Sequence, residues 1–539
     1  MSLEEYSKKR FLIVDELDTF CFSTKKTLKE LGLKLVDSAS SAQKVITGFE
    51  NINYDLVLCN YELGKGKNGQ ELLEELRYRK LLKFTGLFFI ISAEVEKGKV
   101  MGTIENEPDG YLVKPVTPKD LSSRLSKALA MKDAMRLIDT AIDDGDFNAA
   151  INYCDRKIAE KDRYVVRCLK TKAWLLSKIG ELDQAKDVYE SIIKSNNFIW
   201  AEYGLAKIAV KQEDYSRAET LLNSIITKDP YQLEAKDLLA EIFKKQNNIS
   251  AAQSLLKDAI KLSPNSLLRQ KELANLCVIN NEQDDALLAY RKMHKLSDQS
   301  IYAKPEQTYD FANFLAVKAK DTDDKTNNPD IKEAFDLLES TKKRFSSYAN
   351  INEQSKLVSA NVNGIIGNEE EARAIIKEVL GASNKDQFDA KTLKIAAGTL
   401  NTLGDTAQAE DLLEQAADLA RGDTQLISEI YNQLNSTISL AQRKEAATKN
   451  KQGIKLYSEG DINQAAQALR EAVPLTPRHI SLNLNLAQVL LKQYKQNNDP
   501  STLEDAGNFL HKIRHIPNHH KEFKRFEHLM RLLNRKQAK

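Results

Sequence analysis

At 539 residues the chain is too long for one hydrophobic core, and 42% apolar with 29% charged residues marks a folded protein, not a disordered or fibrous one. Seventy-nine basic against seventy-seven acidic side chains give a formal charge of +2, so bulk charge singles out neither nucleic acid nor an anionic membrane as partner. Cys21, Cys59, Cys154, Cys168 and Cys277 form no CxxC pair or zinc spacing, MSLEEYSKKR at the start has no apolar run, and no stretch approaches the roughly 18 apolar residues of a membrane span, so a cytoplasmic protein is expected.

The first 130 residues alternate short apolar runs with helical patterns. Phe11 to Val14 is expected as a strand ending in Asp15-Glu16, Ser23 to Leu33 as a helix, and Leu33 to Val36 as a second strand. Ser41 to Phe49 is helical, and in the stretch Tyr54 to Leu63 the apolar Val57, Leu58 and Cys59, between Asp55 and Asn60, are expected as a third strand that delivers Asn60 at its end. Gln70 to Arg77 carries Leu72, Leu73 and Leu76 on one helical face; Leu87 to Ile91 runs into Ser92 and Tyr111 to Val113 into Lys114-Pro115; Thr117 to Ala130 closes the region as a helix. Such alternation predicts a doubly wound α/β fold with a parallel sheet, whose chemistry collects at the carboxyl ends of the strands.

Those strand ends place Asp15, Glu16, Asn60, Ser92 and Lys114 around one crevice, and over residues 9–130 the arrangement resembles the receiver domain of response regulators. The resemblance implies a flavodoxin-like fold, Asp15 and Glu16 as ligands of Mg²⁺, Ser92 and Lys114 as phosphoryl contacts, and Tyr111 as the switch aromatic. It also implies a phosphoacceptor Asp at the end of the third strand, where this chain has Asn60. A carboxylate is a nucleophile and a hard metal ligand, whereas a carboxamide is neutral and its lone pair delocalised. Gly64 stands where the family usually has Pro, and Gly69 ends the loop one residue late. The expectation is a pseudo-receiver with an intact scaffold and no acceptor; an engineered Asp-to-Asn replacement would give the same sequence.

Beyond Met131 a period replaces the strands. Ala150, Ala185, Ala218, Ala252 and Ala286 are spaced by 35, 33, 34 and 34 residues, and five positions before each stands Gly145, Gly180, Glu213, Asn247 or Asn281. Ala173, Ala206, Ala240 and Ala274 recur twelve before four of these anchors, and Pro230 and Pro264 end second helices. Small residues let helices approach closely, and the whole pattern resembles the tetratricopeptide repeat, which implies an all-α solenoid with a concave face for peptide segments. Gly367 with Ala372, Gly404 with Ala409 and Gly460 with Ala465 continue it, Ala334 anchors a stretched unit, and 321–330 is a loop. A final helical pair is expected from Ile480 to Gln537, broken at 497–501. The domains expected are a receiver over 1–130, regular repeats over 131–300, and irregular repeats over 301–539. Lys170, Tyr203, Asp237 and Lys271 are groove-facing candidates that form no carboxylate clamp.

The end of the chain is basic: from Lys512 to Lys539 there are nine Lys/Arg and two Glu. His511, His515, His519, His520 and His528 lie in or just before it, interrupted by Pro517, so a solvated basic cap is expected in preference to a metal site or a nucleic-acid patch. No phosphate-binding loop, HExxH or GxSxG occurs, and no enzyme is expected. The sequence thus reads as a response-regulator-like adaptor in a two-component phosphorelay, independent of its own phosphorylation. Its expected partners are a histidine kinase, another response regulator or a peptide in the groove. The rival readings are an assembly scaffold with the receiver as a dimerisation module, and a nucleic-acid binder using the basic end.

Overall fold

The structure, a computed structural model, describes residues 6–64, 66–93, 108–161, 163–195, 198–322, 328–381, 388–420, 422–434, 440–516 and 522–537. The described chain divides into two compact units, 1–307 and 308–539. The first unit holds the receiver region together with the first repeats.

Five parallel strands form the sheet of the first unit: β1 (Arg10–Val14), β2 (Leu35–Ala39), β3 (Leu56–Asn60), β4 (Leu87–Ser92) and β5 (Gly110–Val113), in the order β2-β1-β3-β4-β5. The order reverses between β1 and β3, which opens a crevice at their carboxyl ends. Alternate residues feed two cores, as strand geometry requires. Phe11, Ile13, Leu56 and Leu58 pack under α1 (Asp18–Glu30), while Leu12, Val14, Val57 and Cys59 pack under α2 (Ala42–Asn51) and α3 (Gly69–Tyr78). Every residue of β3 and β4 is buried, the signature of strands covered on both faces.

Two elements differ from expectation. Helix α1 starts at Asp18 and not near Ser23, because the Asp15 carboxylate accepts the Leu17 N–H at 2.9 Å and tightens the turn into it. It ends before Gly32, whose φ of +96° stops the helix, so β2 begins at Leu35 and Leu33 is buried in the turn. The fourth helix among the described residues, α4 (Pro118–Asp143), is continuous, capped by Thr117 at its start and carrying Leu121, Leu125 and Leu129 toward the sheet and Met135, Ile138 and Ile142 into the first repeat. No Gly or Pro follows Pro118 within it, so nothing in the sequence interrupts the ladder.

Antiparallel helix pairs follow α4 within the first unit, from Phe147–Ala159 to Gln283–Ser297. The anchors Ala150, Ala185, Ala218, Ala252 and Ala286 are all fully buried. The turn residues before them all take the left-handed conformation, φ being +78° at Gly145, +91° at Gly180, +61° at Glu213, +61° at Asn247 and +59° at Asn281. In the second unit Ala334, Ala372, Ala409 and Ala465 are likewise buried, and Gly367, Gly404 and Gly460 have positive φ. Part of the loop at 321–330 lies outside the described residues; its end, Asn328, caps the helix Pro329–Arg344.

The end of the chain departs from the expected pair. Asp499 caps a helix that begins at Pro500, so three helices, Ile480–Asn497, Pro500–His511 and Phe523–Gln537, stand in place of two. Nor is the basic end merely solvated. His515 is buried beside Asp418, Arg514 pairs with Asp418 at 3.0 Å, and Arg525 donates to Asn485 and Gln488. Pro517, His519 and His520 lie outside the described residues.

Candidate functional site

The carboxyl ends of β1, β3 and β4 and the residue after β5 bring Asp15, Asn60, Ser92 and Lys114 to one edge of the sheet. Asp15 is fully buried, Ser92 is 5% exposed and Asn60 8% exposed, while Glu16 projects into solvent. The Asp15 carboxylate is held from two sides: one oxygen accepts the Leu17 N–H, the other the Lys114 ammonium at 3.0 Å. The same ammonium lies 4.1 Å from the centre of the Phe20 ring, so a lysine at the crevice is seated on an aromatic face as well as paired.

Asn60 is bonded to its own loop. Its side-chain NH₂ donates to the main-chain carbonyl of Glu62 at 2.7 Å, a bond that a carboxylate at this position could not make. The loop beyond is shaped by two glycines. Gly64 has φ +72° and lies so close to Glu16 that a Cβ would come within 2.2 Å of its carboxylate. Gly69 opens α3 against the end of β3, where a Cβ would meet the Asn60 carbonyl oxygen at 2.6 Å. Tyr111, on β5, is half-buried. Phe20, the Glu62 carbonyl and Gly64's approach to Glu16 were not singled out from sequence.

Asp15, Glu16 and the Asn60 carbonyl are hard oxygen donors of the type Mg²⁺ takes. As arranged they do not fit a tightly held ion: Lys114 already neutralises Asp15, Glu16 turns outward, and the amide contributes no charge. A second cluster, Cys277 with Glu282 and Asp285, has its ligand atoms within 4.8 Å of one another. Burial pushes the Cys277 thiol up to about 11, and Lys257 occupies both carboxylates at 3.2 and 2.5 Å, so it is a buried thiol beside an ion pair. Cys59 is also buried, its thiol pushed well above the ordinary range by desolvation and by Asp15.

Among the groove candidates Asp237 is paired with Arg269, whose Nε and Nη2 bond both carboxylate oxygens at 2.7–3.1 Å. Tyr203 lies beneath the Lys207 ammonium at 4.6 Å, Lys271 is half-buried and Lys170 is exposed.

A family model of the response regulator receiver domain matches residues 11–126, and one of the tetratricopeptide repeat matches residues 209–277. The chain carries a receiver domain and tetratricopeptide repeats. The receiver is similar to the chemotaxis protein CheY-3 of Vibrio cholerae, 26% identical over 118 residues that are 22% of this chain and 89% of that protein. It is similar also to the nitrate/nitrite response regulator NarL of Escherichia coli, 31% identical over 98 residues, 18% of this chain and 44% of that protein. Among solved structures, a CheY-like receiver from Methanospirillum hungatei is 28% identical with a TM-score of 0.21 over 23% of this chain and 96% of its own. MamA of Desulfovibrio magneticus is 18% identical with a TM-score of 0.26 over 31% of this chain and 92% of its own. Receiver domains and tetratricopeptide repeats are modules of signalling and protein interaction, and among the described residues no helix is long and apolar enough to cross a membrane.

Proposed function

We propose that the protein is a cytoplasmic adaptor of a two-component phosphorelay that works by protein–protein contact and without being phosphorylated itself. The observation that carries this reading is Asn60, which occupies the end of β3 with its amide nitrogen bonded to Glu62. Phosphoryl transfer to a receiver needs an anionic oxygen that can attack phosphorus and release the donor's leaving group; the neutral amide lacks that charge, and its oxygen is a far weaker nucleophile. Lys114 then stays with Asp15, at 3.0 Å. The surface of the receiver remains available to a histidine kinase or another response regulator, and the repeats to a peptide segment of a partner. The continuous helix α4 ties the two together, so a partner on the receiver moves the first repeats as a body.

The test is incubation with Mg²⁺ and acetyl phosphate, or with a phosphorylated kinase, followed by intact-mass spectrometry. The protein as it stands forms no acyl phosphate, and Asn60→Asp gains one. Phosphate on the unmutated protein, at Asp15 or a nearby carboxylate, overturns the reading. Copurification separates the rival scaffold: a sensor kinase or regulator bound to the receiver supports the adaptor, whereas structural components retained by the repeats alone support the scaffold.

A further inference from the structure

Within the first unit, helix α3 of the receiver and two repeat helices, Leu233–Lys245 and Leu267–Ile279, enclose a cleft of about 490 Å³. That volume lies in the range of small-molecule sites, roughly 300–1,000 Å³. One wall belongs to the receiver, so the compartment is not made by the repeats alone. Its floor is apolar: Ala240, Leu256, Leu267 and Leu276 are buried beneath it, and Leu268, 52% exposed, stands on the repeat wall. Tyr302 adds an aromatic ring, held edge-on against Tyr78 of the receiver at 6.0 Å.

The charges around the cleft are answered within the protein. Asp237 is paired with Arg269 at 2.7 Å, Glu272 with Lys244 at 2.5 Å and Glu241 with Lys245 at 3.0 Å. Glu71 accepts the Asn68 N–H at 2.9 Å in the capping box that opens α3, and burial pushes its carboxyl above the ordinary value. Glu74 is engaged as well, and it faces Tyr302, whose hydroxyl is pushed up by burial and by that carboxylate. A charged ligand therefore finds no counter-ion without breaking a pair, and burying its charge unanswered is costly.

The uncharged polar groups fall into two sets. Asn68, Ser266 and Ser300 serve their own turns, accepting the N–H groups of Glu71, Arg269 and Tyr302. The side-chain amides of Gln70 and Asn265 and the Tyr302 hydroxyl remain to face a ligand, one amide from the receiver and one from the repeats.

From this geometry we infer that the cleft is a site for a neutral amphipathic small molecule, an apolar body carrying amide or hydroxyl groups, held between the receiver and the repeats. The apolar body covers Leu268 and the floor, and the polar groups bond Gln70 on one side and Asn265 or Tyr302 on the other. Because both walls contribute, occupancy favours the arrangement in which α3 stands over the repeats. A receiver without a phosphoacceptor thereby gains a chemical input of another kind. The inference goes beyond the adaptor reading and does not depend on it.

The experiment uses the full chain and two fluorescent probes with the same apolar body, neutral N-phenylnaphthylamine and anionic anilinonaphthalene sulfonate, titrated separately. The neutral probe binds saturably at one site, and the sulfonate binds about tenfold more weakly or worse. That comparison on the unmutated chain needs no variant. Gln70→Glu and Leu268→Glu, each in the first turn of a helix where a carboxylate suits the helix dipole, put a charge on one wall and weaken the neutral probe about tenfold. Leu419→Glu, at an exposed leucine of the second unit, leaves its affinity unchanged, and circular dichroism checks that all three variants fold. Absence of saturable binding, equal affinity for the two probes, or an equal loss in Leu419→Glu overturns the site. A loss at Leu268 with none at Gln70 overturns the receiver's share in it. The claim of phosphorylation independence is untouched by these outcomes and falls only if the unmutated protein acquires an acyl phosphate.

Discussion

The pocket at the strand ends and the repeats beyond it tolerate change in opposite ways. In the pocket, atom identity decides the chemistry: at residue 60 an NH₂ group donates to the Glu62 carbonyl where a carboxylate oxygen would accept charge. In the repeats, size and backbone conformation decide the structure. Five alanines are invariably buried, yet the turn before each is made by Gly, Glu or Asn, all with positive φ. Three residue types thus do one backbone job, while at residue 60 a single atom decides whether the side chain donates or accepts. A repeat is therefore read by position and period, and a pocket by its donors and acceptors.

The largest expected effect tests the repeat half of this contrast. Leu222 is fully buried among Ala206, Leu239 and Ile242, and Leu222→Ala should cost about 2–5 kcal/mol in urea unfolding, with no effect on phosphotransfer chemistry. Asn60→Asp should show the converse. Losing the amide's bond to Glu62 and adding a charge at the crevice costs about 1–3 kcal/mol, while acyl-phosphate labelling rises from nothing to a measurable level. If Asn60→Asp destabilised more than Leu222→Ala, residue 60 would be a structural keystone and the contrast would fail.

Much of this was legible in the sequence because it repeats or alternates. The apolar runs gave β1, β3 and β4, the period near 34 gave the buried alanines, and the spacing of Asp15, Asn60, Ser92 and Lys114 gave their shared edge. What the sequence did not reveal depends on contacts between distant segments that share no period. The seat of Lys114 on Phe20 needs the start of α1, which is set by the Asp15–Leu17 hydrogen bond and not by hydrophobic pattern. The approach of Tyr78 to Tyr302 joins two elements whose sequences look like ordinary solvent-facing stretches. His515 looked like part of a solvated basic run, and only its position beside Asp418 shows that it is buried.

A smaller effect sharpens the claim that the repeat turns are interchangeable. Glu213 holds φ +61°, a conformation that costs a side-chain-bearing residue about 1 kcal/mol, so Glu213→Gly should stabilise by up to that amount. Gly180, at φ +91° with open space around its Cα, should lose about as much on Gly180→Ala. The two variants should displace the thermal midpoint in opposite directions. Equal destabilisation by both would mean that the Glu213 side chain contributes something its backbone does not explain.

The smallest effect concerns charge inside the junction helix, where pocket-like identity reappears within the packed region. Asp139 of α4 is 5% exposed, and its carboxyl lies above the ordinary 3.8, with desolvation as the main cause and Asp143 adding to it. Lys132, at 3.3 Å, and Arg167 oppose the shift without reversing it. A group raised on folding stabilises fully below its unfolded pKa, and that contribution is lost as pH rises through the folded one. Asp139→Asn removes the titration while retaining a polar group near Lys132. Stability relative to the unmutated protein should therefore improve as pH rises above the ordinary carboxylate range, and level off once the carboxyl of the unmutated protein is fully ionised. Urea midpoints of the two proteins across that rise decide it. A relative stability that falls with rising pH would mean that the ion pair with Lys132 outweighs burial, and that charge at this position is tolerated as freely as the repeat turns tolerate residue type.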